Sequence, residues 1–344
     1  FKTKTTELTD LISYDDDKLT ECLNNLEGVK SDNIVMPKSA SVKYENGEMV
    51  VTDEVQGNKI NMDVLESIVK EAIINSVETI NLNDKDCYEK PKYVSTDNEV
   101  QSAKDTLEKY VSSSITYTFG NDSETIDGDT ISQWLSTDED LNVQFDESKV
   151  KKYVLSLANK YNTASLNRSF KTSTGNVINV VPGDYGWRID ISKETQELIN
   201  NIKEGQTITK EPAYAQKAAS HSSNDIGDTY VEVNLSKQHI WFYKNGSLVI
   251  ESDVVTGNIS AGTGTPSGVY MLKYKEKNAT LKGENYNTPV DYWMPFNGGI
   301  GFHDASWRDT FGGTIYLNSG SHGCVNCPPE VAATLFDNIE AGTA

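Results

Sequence analysis

The most informative segment of this sequence is Ser321-His322-Gly323-Cys324-Val325-Asn326-Cys327, which follows an earlier Phe302-His303-Asp304. His303 precedes Cys324 by 324 − 303 = 21 positions. The thiol falls in a Ser/Gly-rich loop ahead of a helix predicted to start near Pro328. A histidine partner and the free N–H groups of a helix N-terminus both stabilise a thiolate, so this pattern predicts a nucleophilic cysteine. The backbone amides of Gly323 and Cys324 are candidate donors to an oxyanion.

Considered from the residues alone, the same segment leaves other interpretations open. Cys324 and Cys327 with a histidine are possible zinc ligands, although no second Cys/His cluster completes the set. The C-x-x-C spacing at a predicted helix start also fits a thioredoxin-like disulfide site, although β-hairpin patterns rather than βαβ units surround it. The remaining interpretation is two buried cysteines in a turn without chemistry.

The sequence around this segment, from Asp228 onward, has a β texture. Strands are predicted at 230–233, 238–243, 248–255, 269–274 and 314–317, with an Asn245-Gly246 hairpin turn between the second and third. A helix follows Pro328-Pro329-Glu330 and places Val331, Leu335 and Ile339 on one face. Residues 228–344 are therefore predicted to form a mainly-β domain with a late helix.

Upstream of that domain, a weak internal repeat indicates two related α+β modules. Gln56-Gly57-Asn58-Lys59-Ile60-Asn61 recurs as Tyr185-Gly186-Trp187-Arg188-Ile189-Asp190. In each copy a strand–turn–strand pattern precedes the motif and an amphipathic helix follows it. We place the modules at 1–95 and 100–214. Residues 215–227 are small and polar, which predicts a linker, with His221 exposed in it.

The overall composition restricts the possible partners. The chain has 344 residues with 31 Lys/Arg and 51 Asp/Glu, a net charge of −20. The sequence shows no basic cluster that would bind nucleic acid or anionic lipid. No apolar run approaches the roughly 20 residues of a membrane span. The chain begins at Phe1 with neither a methionine start nor a signal peptide, so we expect any export signal or anchor to belong to a longer protein.

The motif resembles the signature of the L,D-transpeptidase catalytic domain family, in which a histidine precedes Ser/Thr-His-Gly-Cys-x-Asn. Flanking segments agree with the family as well, among them Thr265-Pro266-Ser267-Gly268, Tyr292-Trp293-Met294-Pro295-Phe296 and Gly301-Phe302-His303-Asp304. The repeated modules are similar to the peptidoglycan-binding domains that often precede that domain. The resemblance implies a multidomain protein in which two α+β repeat modules are followed by a mainly-β, β-sandwich-like catalytic domain over 228–344.

The resemblance also implies roles for individual residues. Cys324 is the nucleophile that accepts the acyl group, and His303 is the general base, held through its far ring nitrogen by the backbone carbonyl of Asp304. His322 lines the site, and Gly323 contributes its amide to the oxyanion hole. Residues expected to brace the site or contact substrate are Ser321, Asn326, Tyr292, Trp307 and Arg308. No metal or cofactor is implied.

The implied reaction is the formation of 3→3 cross-links in peptidoglycan. A tetrapeptide donor stem forms a thioester with Cys324 and releases D-Ala, and the amine of a second stem opens the thioester. The same chemistry with water gives an L,D-carboxypeptidase, and carbapenems are expected covalent inhibitors. The implied location is extracytoplasmic, in the bacterial cell wall, with the full-length protein secreted or membrane-anchored.

The sequence also leaves two alternative functions and one question about Cys327. The protein could instead attach wall proteins to peptidoglycan stems, or it could be a wall-binding protein with an inactive transferase domain. Cys327 stands where the family usually has an apolar residue, and a reversible disulfide with Cys324 is the hypothesis that this substitution raises.

Overall fold

The computed structural model of this chain describes residues 12–283 and 286–344. These residues divide into two compact units. One unit extends to Ser114 and also includes Asp127–Asp146 and Ile202–Gln206; the other includes Ile115–Ile126, Glu147–Asn201 and Thr207–Ala344. The C-terminal domain and most of the second module therefore lie in one unit.

The first module contains the predicted hairpin and the predicted helix after it. The Asn46-Gly47 turn has both residues at positive φ (54° and 89°), as a type I′ hairpin turn requires. The Asn61 side chain caps the following helix by accepting from Val64 N at 3.2 Å. The elements are α1 Asp16–Asn24, α2 Glu27–Lys30, β1 Ser41–Glu45, β2 Glu48–Thr52, α3 Met62–Ile74 and a 3₁₀ turn Leu82–Lys85.

The second module repeats the hairpin and the helix in the predicted order. The hairpin pairs Arg168 with Val180, and Gly175 in its turn has φ 87°. The elements are α4 Asn98–Val111, β3 Ser114–Phe119, β4 Asp122–Ile126, α5 Gly128–Ser132, β5 Leu135–Thr137, β6 Val143–Phe145, α6 Glu147–Tyr161, β7 Arg168–Lys171, β8 Val177–Val180, β9 Arg188–Ile189, α7 Ile191–Lys203, β10 Thr207–Lys210 and β11 Tyr214–Gln216.

The C-terminal domain is mainly β with a late helix, as expected. Its two sheets have the strand orders β12-β13-β14 and β15-β16-β17-β18. The elements are β12 Tyr230–Asn234, β13 His239–Lys244, β14 Ser247–Asp253, β15 Glu276–Gly283, β16 Tyr286–Asn297, β17 Ile300–Asp304, α8 Ile315–Ser319, β18 Val325–Cys327 and α9 Pro329–Asn338.

One apolar core lies between these sheets and α9. Phe242 from β13, Met294 from β16 and Leu335 from α9 are fully buried in it. α9 begins at Pro329, where the missing N–H is not needed. This core packs against one face of β16, β17 and β18. Trp293 and Cys324 belong to a separate cluster outside it.

Two of the predicted strands in this domain are wrong. Residues 315–317 lie in α8 and Thr314 is its N-cap; the α8 carbonyls Tyr316 O and Leu317 O accept from Ile259 N and Ser260 N. A short apolar run fits either a helix or a strand, and tertiary hydrogen bonds decided this one. Residues 269–274 form only a bridge from Val269 to Pro182, because their backbone groups divide their hydrogen bonds among Tyr185, Pro295 and the 342–343 segment instead of pairing with one strand.

The segment predicted as a linker, 215–227, is packed instead. Asp225 is buried and forms an ion pair with the buried Arg168, with 2.7 Å between Oδ1 and Nε. His221 stacks on Trp187 with ring centroids 3.7 Å apart, so it is not a freely exposed residue. The local composition is that of a linker, but Arg168 needs a buried counter-charge and the segment supplies it.

Replacing Leu335 with alanine should destabilise the C-terminal domain by about 2–5 kcal/mol, because it removes a fully buried side chain from the core. Urea unfolding followed by tryptophan fluorescence measures this. The matched control is Leu248→Ala on β14, where the side chain is 47% exposed and the change should be within about 0.5 kcal/mol. Equal losses in the two variants would contradict the placement of the core.

Candidate active site

The candidate site is built on the parallel pair of strands β17 and β18. In this pair Phe302 is the partner of Val325, and His303 is the partner of Asn326. Neighbouring strands lie about 4.8 Å apart. Cys324 directly precedes β18, so the pairing places it beside the strand that carries His303. Residues distant in sequence are thereby brought to one edge of the domain.

His303 is buried and held in one orientation. Its Nδ1–H donates to the Asp304 carbonyl oxygen at 2.8 Å. A carbonyl only accepts, so the neutral ring carries its proton on Nδ1 and leaves a lone pair on Nε2. The rings of Trp293 and Trp307 flank the imidazole, with centroids 6.1 and 5.9 Å away.

The environment of His303 favours its neutral form. Burial lowers the pKa of His303 below its ordinary value of 6.5, and the hydrogen bond to Asp304 opposes this shift. The positive charge of Arg308 lowers the pKa of His303 further. The imidazole is therefore a free base at neutral pH.

Cys324 is 9% exposed and packs against Trp293. Its thiol donates to the Gly299 carbonyl at 3.6 Å. Burial raises the pKa of Cys324 above 9.0, and a hydrogen bond from the Gly301 amide works against that rise. The resting pair is therefore a neutral thiol and a neutral imidazole.

The expected helix N-terminus is not what positions Cys324. The residue precedes the three-residue strand β18, and α9 begins only at Pro329. A helix dipole acts within its first turn, so it does not account for activation of this thiol. The prediction that a helix N-terminus stabilises the Cys324 thiolate was wrong, because sequence patterns do not reveal a strand as short as β18.

The loop before Cys324 is closed by its own hydrogen bonds. Ser321 Oγ donates to the Cys324 carbonyl at 2.5 Å and accepts from Gly323 N at 3.0 Å. The Gly323 amide is therefore already engaged, and its expected place in an oxyanion hole is not available in this conformation. Two threonines brace the loop from outside: Thr263 Oγ1 donates to Ser321 O at 2.9 Å, and Thr265 Oγ1 donates to Gly323 O at 2.7 Å.

Asp304 acts in the structure through its side chain as well as its carbonyl. Its Oδ1 accepts from the amides of Asp291 and Tyr292, both at 2.8 Å. The carboxylate is thereby committed to β16, and only the backbone carbonyl orients His303. The buried side chain ties β16 to β17 next to the site.

Asn326 lies on β18 opposite His303 and is buried. Its backbone exchanges hydrogen bonds with Val255, at 3.0 and 2.9 Å, which supports the expected bracing role. Its side-chain Oδ1 is buried and finds no hydrogen-bond partner among residues 12–283 and 286–344. An unpaired acceptor of this kind is costly, and a bound N–H donor would relieve it.

Two of the expected groove residues flank the site, and one does not. Trp307 is 49% exposed and lies over His303. Arg308 is half-buried and donates from Nη2 to Ser319 O at 2.9 Å, while its buried Nε has no partner in the described part of the chain. Tyr292 instead packs on Phe336 against the core, so its predicted place in the groove is wrong. Successive side chains of a strand point to opposite faces, and Trp293 is the one that faces Cys324.

His322 is exposed and stacks on Tyr286 with ring centroids 4.7 Å apart. Tyr286 opens β16, far from the motif in sequence. The sequence patterns single out its aromatic character but not this contact, since they give no register for β15 and β16.

The structure separates the two cysteines of the C-x-x-C segment. Cys324 packs with Trp293, whereas Cys327 is fully buried in the core with Leu335. The two side chains lie on opposite faces of the sheet, so a disulfide between them would require β18 to break. The same separation prevents them from ligating one zinc ion, and no cluster of three metal-ligating side chains is found in the described residues.

Comparison with known families identifies the domains. Residues 228–344 match the L,D-transpeptidase catalytic domain, and residues 2–81 and 93–209 match a family described as "Putative peptidoglycan binding domain". None of the curated proteins matches the chain.

Two solved structures are similar over most of the chain. The crystal structure of a cysteine-to-serine mutant of the Enterococcus faecium L,D-transpeptidase is 37% identical, with a TM-score of 0.55, and the match covers 70% of this chain and 96% of that one. The Ldtfm–avibactam carbamoyl enzyme is 37% identical, with a TM-score of 0.56, over 71% and 96%. The chain therefore belongs to the L,D-transpeptidase family.

The substitution Asp304→Asn separates the roles of side chain and backbone. The amide keeps an oxygen that can accept from the Asp291 and Tyr292 amides, and the carbonyl that holds His303 is unchanged. We expect the rate of acylation of Cys324 by a carbapenem, read by mass spectrometry, to fall less than about tenfold. In an enzyme whose triad uses an aspartate side chain, the same change lowers the rate by about 10⁴. A loss of that size here would contradict the assignment of the backbone carbonyl as the partner of His303.

The pH dependence of acylation should report His303. The base must be neutral, so the rate should fall as the pH drops through the lowered pKa of His303, with a midpoint below 6.5. Arg308→Met removes a charge that lowers this pKa, and the midpoint should move to higher pH. Arg308→Lys keeps the charge and is the matched control; a midpoint that stays in place in the methionine variant would count against the electrostatic coupling.

Proposed function

We propose that this chain is an active L,D-transpeptidase that forms 3→3 peptidoglycan cross-links through a thioester on Cys324. The observation that carries the proposal is the buried thiol directly before β18, the strand paired with β17, which carries His303; the Nδ1–H of His303 is fixed by the Asp304 carbonyl. Membership of the family supports it, as does the carbamoyl enzyme formed by a 37%-identical relative with avibactam.

In the first half-reaction His303 accepts the thiol proton on Nε2, and the sulfur attacks the carbonyl of residue 3 in a tetrapeptide stem. The C–N bond to the terminal D-Ala then breaks, the imidazolium returns its proton to the leaving amine, and a thioester remains. Proton transfer coupled to attack suits a thiol whose pKa is raised by burial, because a free thiolate would be costly there.

In the second half-reaction the side-chain amine of residue 3 on a neighbouring stem opens the thioester. His303 takes a proton from this amine as the new amide bond forms, and the thiolate leaves and is reprotonated. Its lowered pKa keeps His303 available as a base in both halves. Water in place of the amine gives L,D-carboxypeptidase activity at the same residues.

Transition-state charge needs donors close to the sulfur. The Cys324 amide remains the expected donor from the motif loop. Because Ser321 Oγ engages the Gly323 amide, we propose the Gly301 amide, which acts to lower the pKa of Cys324, as a second candidate. This donor comes from β17 rather than from the motif.

Substrate contacts are proposed for the residues around the entrance. Trp307 and the Tyr286–His322 pair present ring faces beside the base and the nucleophile. Arg308 has a buried Nε without a partner in the described residues, and a stem carboxylate would satisfy it. Its charge is then shared between holding the substrate and lowering the pKa of His303.

The two N-terminal domains favour action at the cell wall. We propose that they bind peptidoglycan and that the protein works outside the cytoplasm, secreted or anchored in its full-length form. In the described residues, no helix is both long and apolar enough to cross a membrane.

Incubation with a disaccharide-tetrapeptide tests the proposal directly. Intact mass of the wild type should show an adduct equal to the stem minus D-Ala, and Cys324→Ala should show none. His303→Gln keeps a side chain of related shape and polarity and should slow adduct formation by about 10²–10⁴. An adduct of unchanged yield in Cys324→Ala would refute the nucleophile.

Analysis of the products separates the alternatives. A 3→3 dimer indicates transpeptidation, a tripeptide stem indicates carboxypeptidase activity, and neither product with an unmodified Cys324 indicates a wall-binding protein with an inactive domain. Transfer to a protein amine rather than a stem amine indicates attachment of wall proteins.

A further inference from the structure

A groove separates β7 of the second module from the β12–β13 hairpin of the catalytic domain. We refer to it as the β7 groove; its lining includes Ser169, Phe170, Ser173, Tyr230 and Tyr243. All of these residues belong to the second compact unit. The groove encloses about 480 Å³, within the roughly 300–1,000 Å³ that is typical of small-molecule sites.

The β7 groove combines an aromatic wall with polar groups. The Phe170 and Tyr230 rings meet edge to face at 5.4 Å, and Tyr230 stacks with Tyr243 at 5.2 Å. Ser169 and Asn224 add a hydroxyl and an amide to the lining. A pyranose ring has the complementary pattern, with C–H groups that pack on aromatic faces and hydroxyls that need hydrogen bonds.

The walls of the β7 groove are held by cross-domain hydrogen bonds. Tyr243 Oη donates to Ser173 Oγ at 3.0 Å, and Ser173 donates to Glu232 Oε2 from both its amide and its hydroxyl, at 2.9 and 2.7 Å. The module and the catalytic domain therefore share one preformed site. A preformed site costs little ordering free energy when a ligand binds.

Charge favours a neutral occupant. The chain carries a net charge of −20, and Asp228 is part of the lining. Lys171 belongs to the lining as well and balances the charge of Asp228, and the Glu232 carboxylate is already engaged by Ser173. The lining therefore carries no net charge, and an uncharged polyhydroxyl chain fits it without leaving a charge to be paired.

A second, mostly apolar cavity adjoins the β7 groove. It encloses about 410 Å³ and shares Phe170 and Tyr230 with the groove, while Val180, Ile226 and Val269 supply apolar walls. An acetamide group places one methyl beside one polar amide. The apolar cavity next to a hydroxyl-lined groove therefore suits an N-acetylated amino sugar better than an unsubstituted one.

From these features we propose that the β7 groove binds the N-acetylated amino-sugar backbone of a glycan strand. The inference rests on the proposed function, since a bound strand would carry the stems that Cys324 acylates. The second module and the catalytic domain then bind the glycan jointly, at residues separate from the reacting ones.

The test uses the full chain and chitotetraose, an uncharged tetramer of N-acetylglucosamine, as the probe. We expect saturable binding by calorimetry and shifts of groove resonances by NMR. Ser169→Trp fills the groove from an exposed position on β7 and should weaken binding at least tenfold. Val177→Trp, on β8 of the same hairpin and 67% exposed, lies outside the lining and should bind as the wild type does.

The same samples are treated with a carbapenem, whose acylation of Cys324 does not involve the glycan and should be equal in all three proteins. Failure of acylation would refute the proposed chemistry at Cys324 and would leave the proposal of glycan binding in the β7 groove unaffected. Absence of chitotetraose binding at millimolar concentration, equal binding by Ser169→Trp, or displacement of the probe by a sugar-free stem tetrapeptide would each overturn the glycan assignment, the last in favour of a peptide site.

Discussion

The parallel pairing of β17 with β18 is the constraint on which the catalytic domain depends. Parallel strands need a long crossover, and here the chain between Asp304 and Val325 supplies it, including α8. The hydrogen bonds between β17 and β18 fix the position of Cys324 along the sheet relative to His303. A shift of one residue would turn His303 toward the opposite face of the sheet, so the register is also the alignment of the site.

Burial sets the chemistry at this pair. The same desolvation raises the pKa of Cys324 and lowers that of His303, so both partners rest neutral. Asp304 orients the His303 ring through its backbone carbonyl, and both this hydrogen bond and the negative charge of Asp304 partly oppose the lowering of the His303 pKa.

One segment joins the second module to the catalytic loop. Near one end, Thr265 Oγ1 donates to Gly323 O at 2.7 Å. Further along, Val269 O accepts from Tyr185 N at 3.1 Å, and Met271 N donates to Asp184 Oδ1 at 3.0 Å. The segment 265–271 therefore hydrogen-bonds both to the loop before Cys324 and to the second module, although it forms no regular strand.

The sequence by itself determined the Asn-Gly hairpins and α9, because each follows from local chemistry: a turn that needs positive φ and a proline at a helix start. For the Cys324 segment, local chemistry left nucleophilic, zinc, redox and inert interpretations open, and only the resemblance to a family ranked them. The carbonyl of Asp304 as the partner of His303 came from the resemblance to a family. Only the tertiary structure decided that Tyr292 faces the core while Trp293 faces Cys324, that Cys327 is turned away from Cys324, and that the supposed linker is packed through Asp225. Those outcomes depend on strand register and on buried partners distant in the chain, and neither is written in a local pattern.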